Sequence, residues 1–302
     1  MEIMKLIPTG KDYLWGGTRL REEYGKKIDL TPLAETWECS VHPDGPSYIV
    51  NGSFKGQTLA EVLKAHPEYL GTKVENGELP VLVKFIDAKK DLSVQVHPND
   101  EYAREHEGDN GKTEMWYVID ADEGAHLIYG FQHEVTEEIL RKAVETGTLD
   151  KHLQKVSVHK GDTYFVPAGT VHGIGKGILV AEIQESSNVT YRVYDYNRVG
   201  VDGKPRGLHI EKAIAVANLS AYVPQPTNGN VLANCKYFTV EKGAGEREIY
   251  HAKSFVSILA VSDGRNIDGI PLMRGDSYYI PAGSTAKLGG NADYILTCIQ
   301  GE

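Results

Sequence analysis

The chain repeats itself. GDTYFVPAGTVHGIG begins at Gly161 and GDSYYIPAGSTAKLGG begins at Gly275, with Gly-Asp, an aromatic run and Pro-Ala-Gly at matching offsets. Gly-Asp makes a tight turn into a strand, and Pro-Ala-Gly closes that strand with another turn. Two copies of one turn–strand–turn pattern call for two related β units. The copies differ where chemistry would notice: His172 of the first is replaced by Ala286 in the second.

The rest of the chain reads the same way. Pro80–Ala88 (PVLVKFIDA), Leu92–His97, Glu114–Ala121 and Ala125–Phe131 are short, rich in β-branched or aromatic residues, and separated by turn residues. TYFVPAG, ILVAEIQ and VTYRVYDY continue the series, and YFTVEKG, SFVSILAVS, SYYIPAG and DYILTCIQ follow beyond residue 230. The pattern predicts a mainly β protein of two jelly-roll β-sandwich units. Three segments have helical spacing and read as insertions on the β scaffold: Thr58–Leu70 behind a capping threonine, Glu134–Val156 interrupted near Gly147, and Leu208–Leu219. AYVPQPTNGN (Ala221–Asn230) reads equally as a linker or as a long surface loop. Taken as a linker, it divides the chain into residues 1–225, the larger unit with the helices, and residues 226–302, a smaller β unit.

Charge and cysteines narrow the function classes. A formal net charge of −10 disfavours nucleic-acid binding, and means that any anionic substrate needs locally concentrated positive charge. Cys39, Cys235 and Cys298 are far apart and form no CxxC pair, which fits neither a disulfide framework nor a thiolate zinc site. The N-terminus lacks the apolar core of a signal peptide, and no window approaches the roughly 20 apolar residues of a membrane span. These features predict a soluble cytoplasmic protein without nucleic-acid or membrane partners, a monomer or weak homodimer.

Gly-Asp and Pro-x-Gly turns combined with a histidine at the His172 offset resemble the second motif of the cupin superfamily. Lys176 stands where that motif often has asparagine. A cupin implies further metal ligands from earlier strands. In SVQVHPND, Gln95 and His97 are one residue apart, so in a strand both face the same side. Glu114 opens another β run. Singly, His97 before Pro98 reads as a turn residue, Glu114 as solvated, and Gln95 as uninformative. Jointly with His172 they offer two imidazoles, a carboxylate and an amide oxygen, a set suited to Zn²⁺ with room for water or a substrate oxygen. The remaining histidines, His251 among them, share no such context and read as surface or structural.

LSVQVHPND, GKTEMWYVID and AEIQESSNVTYRVYDYNR resemble the landmarks of the type I mannose-6-phosphate isomerase family in its short bacterial form, and the likeness runs from YLWGGTRL through YDYNR. The resemblance implies a zinc-dependent aldose–ketose isomerase on a cupin fold, with one Zn²⁺ per chain. Such an enzyme interconverts mannose 6-phosphate and fructose 6-phosphate by proton transfer through an enediolate. It carries metal ligation onto Gln95, His97, Glu114 and His172, and catalytic roles onto Arg192, Glu182 and Lys112. Lys84 and Ser93 match positions lining the family's site, and Arg198 stands where longer relatives carry a lysine. These three are expected at the substrate phosphate, which favours cationic donors. Lys84 lies within the apolar run VLVKFID, where an inward lysine costs energy unless it meets an anion.

Three other readings compete. His97, Glu114 and His172 could form the triad of an iron oxygenase, although a fourth ligand at Gln95 and the Arg192 region argue against it. A different sugar-phosphate isomerase and a non-catalytic sugar-binding cupin are the others. The second β unit, lacking the ligand histidine, is expected to be structural.

Overall fold

The computed structural model describes residues 1–196, 198–199, 203–222 and 229–300. Its strands pair antiparallel and form two sandwiches. In the first, a six-stranded sheet runs in the order Thr163–Val166, Glu114–Ala121, Ile178–Glu185, Val81–Ala88, Glu35–Cys39 and Thr9–Lys11. It faces a five-stranded sheet of Tyr191–Tyr194, Val94–Val96, His172–Ile174, His126–Phe131 and Leu153–Ser157. Ile86, Trp116, Val118, Leu127, Tyr129 and Val180 fill the space between them. Helices Glu137–Glu145 and Ile210–Val216 cover the outer face of the five-stranded sheet, with Leu140, Ala143 and Ile214 against Val94, Val96 and Ile128.

The second sandwich packs a seven-stranded sheet on a four-stranded one around Ile249, Ile258, Tyr278, Ala286 and Leu296. The two sandwiches lie back to back. Val81, Val83, Phe85, Met115, Tyr117 and Ile183, on the outer face of the six-stranded sheet, share one core with Leu6, Val240, Leu259, Tyr279 and Ile295. Strands Val81–Ala88 and Ile178–Glu185 are thus buried on both faces, which is why they read as mainly apolar runs, with Lys84 and Glu182 set into them.

The expected division at 225/226 falls among residues 223–228, outside the described residues. Sheet pairing does not follow it: strand Met4–Ile7 pairs with Ser277–Ile280 and with Tyr48–Ile49, so the N-terminus builds part of the C-terminal sheet. Without Met4–Ile7, strand Ser277–Ile280 would be an open edge, and Met4 and Leu6 bury into the shared core.

The helices are shorter than their periodicity. Thr58 and Glu61 form a reciprocal capping box on Leu59–Ala65, and Pro67 then starts a 3-10 turn, Pro67–Tyr69. The segment Glu134–Val156 is α-helical only over Glu137–Glu145, with a 3-10 turn at Leu149–Lys151. After Gly147, at φ +65°, the chain turns and Leu153–Ser157 pairs with His126–Phe131 as a sheet edge. Helix Asp100–His106 was not expected, although Asn99 caps it by accepting the Tyr102 N–H and acidic residues follow. Among the described residues no helix is long and apolar enough to cross a membrane.

Candidate metal centre

Strand parity assembles the site. Lys84 shares the inward face with Ile86 and Ala88, Glu114 with Trp116 and Val118, and Glu182 with Val180 and Ile178. Register then sets Glu182 opposite Lys84 on one side and Trp116 on the other. Across the sandwich, Gln95 lies opposite His172 and Arg192.

The ligand atoms of His97, Glu114 and His172 lie within 4.8 Å of one another, all buried. His172 Nε2 is 3.3 Å from Glu114 Oε1, and His97 Nε2 is 3.5 Å from Glu114 Oε2. The outer ring nitrogens face main-chain carbonyls: His97 Nδ1 donates to Val189 O and His172 Nδ1 to Thr170 O, each at 2.8 Å. Those bonds hold the proton on Nδ1 and leave the Nε2 lone pairs aimed at Glu114. Burial depresses both imidazoles, His172 to about 4 and His97 well below its usual value, and the Lys112 ammonium lowers them further. At neutral pH both are uncharged, the form that binds a metal.

Glu114 is short of a cation. Burial raises its carboxyl and nearby Glu182 adds to the effect. Both its oxygens are buried without a hydrogen-bond partner, and Lys112 Nζ makes an ion pair with it at 3.0 Å while lying 3.1 Å from His97 Nε2. One ammonium thus stands beside a donor set whose chemistry suits a divalent ion. Gln95 completes the set. Its Nε2 is 3.5 Å from His172 Nε2 and its Oε1 is 3.4 Å from Ser93 Oγ, so a half-turn of the amide presents the oxygen. The four residues fit a bound metal.

Beside this set, Lys84 meets the anion its apolar strand demanded. Its Nζ is 3.1 Å from Glu182 Oε1 and 3.8 Å from Glu35 Oε2. Trp116 Nε1 donates to Glu182 Oε2 at 2.9 Å, and Trp37 Nε1 donates to Glu35 Oε2 at 2.9 Å. Burial alone would raise the Glu182 carboxyl, but the Lys84 and Lys112 ammoniums and the indole outweigh it and hold it well below the usual range.

A cavity of about 270 Å³ opens over both groups, and Lys84, Ser93, Gln95, Lys112, His172, Glu182 and Arg192 all line it. His97 and Glu114 lie immediately behind. Arg198 is not on the wall: its guanidinium pairs with Asp195 and donates to Asp91 O at 2.6 Å. Arg206 lines the cavity instead, together with Tyr13, Trp15 and Glu35. Sequence reasoning missed these four. Tyr13 and Trp15 sit at the YLWGG landmark and Glu35 in a strand, but Arg206 lies in an irregular segment with no periodic signal.

Known proteins share both the sequence and the architecture. The family model for the catalytic domain of phosphomannose isomerase type I matches residues 3–127. A mannose-6-phosphate isomerase of Bacillus subtilis is 40% identical, with 96% of each chain covered, and that of Streptococcus mutans is 42% identical over 89% of each. The crystal structure of the mannose 6-phosphate isomerase from Bacillus subtilis superimposes with a TM-score of 0.90 at 36% identity, covering 98% of this chain and 99% of that one. With a histidine–glutamate–histidine centre inside a matching fold, the chain belongs to the type I mannose-6-phosphate isomerase family.

Proposed function

We propose that the chain interconverts mannose 6-phosphate and fructose 6-phosphate, with one Zn²⁺ held by Gln95, His97, Glu114 and His172. One observation carries the reading: a buried carboxylate, ion-paired with Lys112, sits between two neutral imidazoles, next to the Lys84–Glu182 pair at a single cavity. Moving a carbonyl between C1 and C2 means removing the proton from the adjacent carbon, which leaves an enediolate negative at oxygen. When bound, the metal supplies Lewis acidity toward the substrate oxygens.

The chain's own residues do the rest. Glu182, kept anionic by Lys84 and Lys112, takes the proton from one carbon and returns it to the other. Lys84 and Trp116 hold that carboxylate in place. Lys112 and Arg192 face the oxygens where negative charge grows. The apolar wall of Trp15, Ile86, Leu92 and Ile174 limits water around the sugar, and the Ser93 hydroxyl offers the substrate a hydrogen bond. Three free cysteines agree with a cytoplasmic setting.

The test couples fructose 6-phosphate formation from mannose 6-phosphate to a dye, before and after chelation. Activity should vanish with chelator and return with zinc. Turnover that survives complete metal removal would overturn the zinc assignment, and no turnover in the zinc-loaded protein would overturn the activity.

A further inference from the structure

Three arginines gather at one end of the cavity around a single buried carboxylate. Asp195 accepts from Arg206 through Nε at 2.7 Å and Nη2 at 2.6 Å, and it also pairs with Arg198. Arg192 donates through Nη1 to Gly207 O at 3.1 Å, immediately beside Arg206, while its Nε is buried with no partner. The two segments are laced together: Arg192 N–H donates to His209 Nδ1, and His209 N–H donates back to Arg192 O. Arg192 and Arg206 therefore reach the same cavity from adjoining backbone, whereas Arg198 is drawn onto the Asp91 carbonyl.

Charge makes this end unlike the rest of the cavity. Lys84 is matched by Glu182 and Glu35, and Lys112 by Glu114. Among the described residues, three guanidiniums stand against the one carboxylate of Asp195 and leave positive charge unmatched, in a chain whose net charge is −10. A guanidinium has five N–H groups in a planar fork, and Asp195 engages two of those on Arg206. The opposite edge, Nη1, has no partner among the described residues and suits two oxygens of a phosphate.

We infer that Arg206 grips the phosphate of the substrate, and that Asp195 is the residue that positions Arg206. The inference rests on the isomerase reading and deepens it: the carbonyl end of the sugar lies toward Glu182 and the metal ligands, the phosphate toward Arg206. The cation expected from Arg198 comes from Arg206 because Asp195 collects both side chains and Arg206 is the one on the wall.

The experiment compares wild type with Arg206→Gln, Arg206→Lys and Asp195→Asn, each checked by thermal melting, on mannose 6-phosphate and on unphosphorylated mannose. Losing a charge-assisted contact to substrate should raise the Arg206→Gln KM for mannose 6-phosphate on the order of 10–100-fold, with kcat within about threefold. Competitive inhibition by inorganic phosphate should weaken in parallel, and kcat/KM for mannose should not move. Arg206→Lys, which keeps the charge but loses the fork, should fall between, as should Asp195→Asn; the lysine variant also carries the test if Arg206→Gln folds poorly. Unchanged KM and phosphate inhibition in the folded variants would overturn the inference while leaving the isomerase reading intact, and so would an equal loss on both sugars. If wild type fails to isomerise mannose 6-phosphate, yet inorganic phosphate raises its melting temperature and Arg206→Gln abolishes that rise, the isomerase reading falls and the anion site stands.

Discussion

The two sandwiches share hydrogen bonds as well as sequence. Gly161 N–H donates to Val118 O at 2.7 Å, and Gly275 N–H donates to Ala260 O at 2.8 Å. Asp162 accepts the His159 N–H at 2.8 Å, and Asp276 accepts the Met273 N–H at 2.9 Å. Gly161 and Gly275 take φ of +93° and +90°, a region that favours glycine, so both turns hold the same residue for the same reason. Gly169 N–H reaches His97 O, and Gly283 N–H reaches His251 O.

Register extends the match to the ligands. Gln95 lies opposite His172 as Ile249 lies opposite Ala286, and Glu114 lies opposite Val166 as Val256 lies opposite Ile280. The second unit therefore has Ile249, His251, Val256 and Ala286 where the first has Gln95, His97, Glu114 and His172. One histidine persists, unremarkable in the sequence, and the other three places are packed core. The turns and pairing hold the scaffold, while the interior carries either a donor set or apolar packing. Chemistry is grafted onto one copy of a shared frame.

Exchanging residues between the copies tests this. Glu114→Val gives the first unit the residue of the second, and should cost isomerase activity about 10³-fold or more together with the bound zinc. Metal analysis and the coupled assay read the outcome, and a variant that keeps both would break the comparison. The reverse exchange, Val256→Glu, buries a carboxylate among Ile249, Ile258 and Ala286. It should destabilise the fold by about 3–5 kcal/mol in a denaturant melt while leaving KM unchanged. An unaltered melt would mean that the second interior is less closed than its packing indicates.

The smallest effect lies at the seam. Glu185 is buried, accepts the Thr113 N–H at 2.6 Å, and neighbours Asp100, which accepts the Tyr237 hydroxyl of the second unit at 3.1 Å. Burial lifts its carboxyl from 4.5 to about 8, with Asp100 adding to the rise. Between those values the folded chain keeps a proton that the unfolded chain has released. Stability therefore falls as pH rises from about 4.5 to about 8 and levels off above. Glu185→Gln mimics the protonated form and should remove a slope on the order of 1–3 kcal/mol across that window. Parallel pH–stability curves for variant and wild type would show that the seam does not hold this proton.

The ligand set was legible because turns and strand parity are local. Gln95 and His97 share a face by spacing alone, and Lys84 announced a buried anion by sitting in an apolar run. Much else was hidden by distance along the chain. The edge strand Leu153–Ser157 was masked by the helical spacing before it, and helix Asp100–His106 buries Ala103 alone and so carries no apolar stripe. Pairing of Met4–Ile7 with Ser277–Ile280 leaves no mark in either segment, since an edge strand's partner depends on what the fold brings beside it.

By itself, then, the sequence determined two β units from one turn pattern and the full donor set that the first unit alone completes, since glycine turns and period-two parity are decided by neighbouring residues. Tertiary structure alone decided that the N-terminal strand completes the second sheet, that His251 occupies the place of a ligand, and that Arg206 instead of Arg198 meets the cavity. Those outcomes follow from competition in space: one buried Asp195 takes two arginines, and the surrounding walls select which of them faces inward.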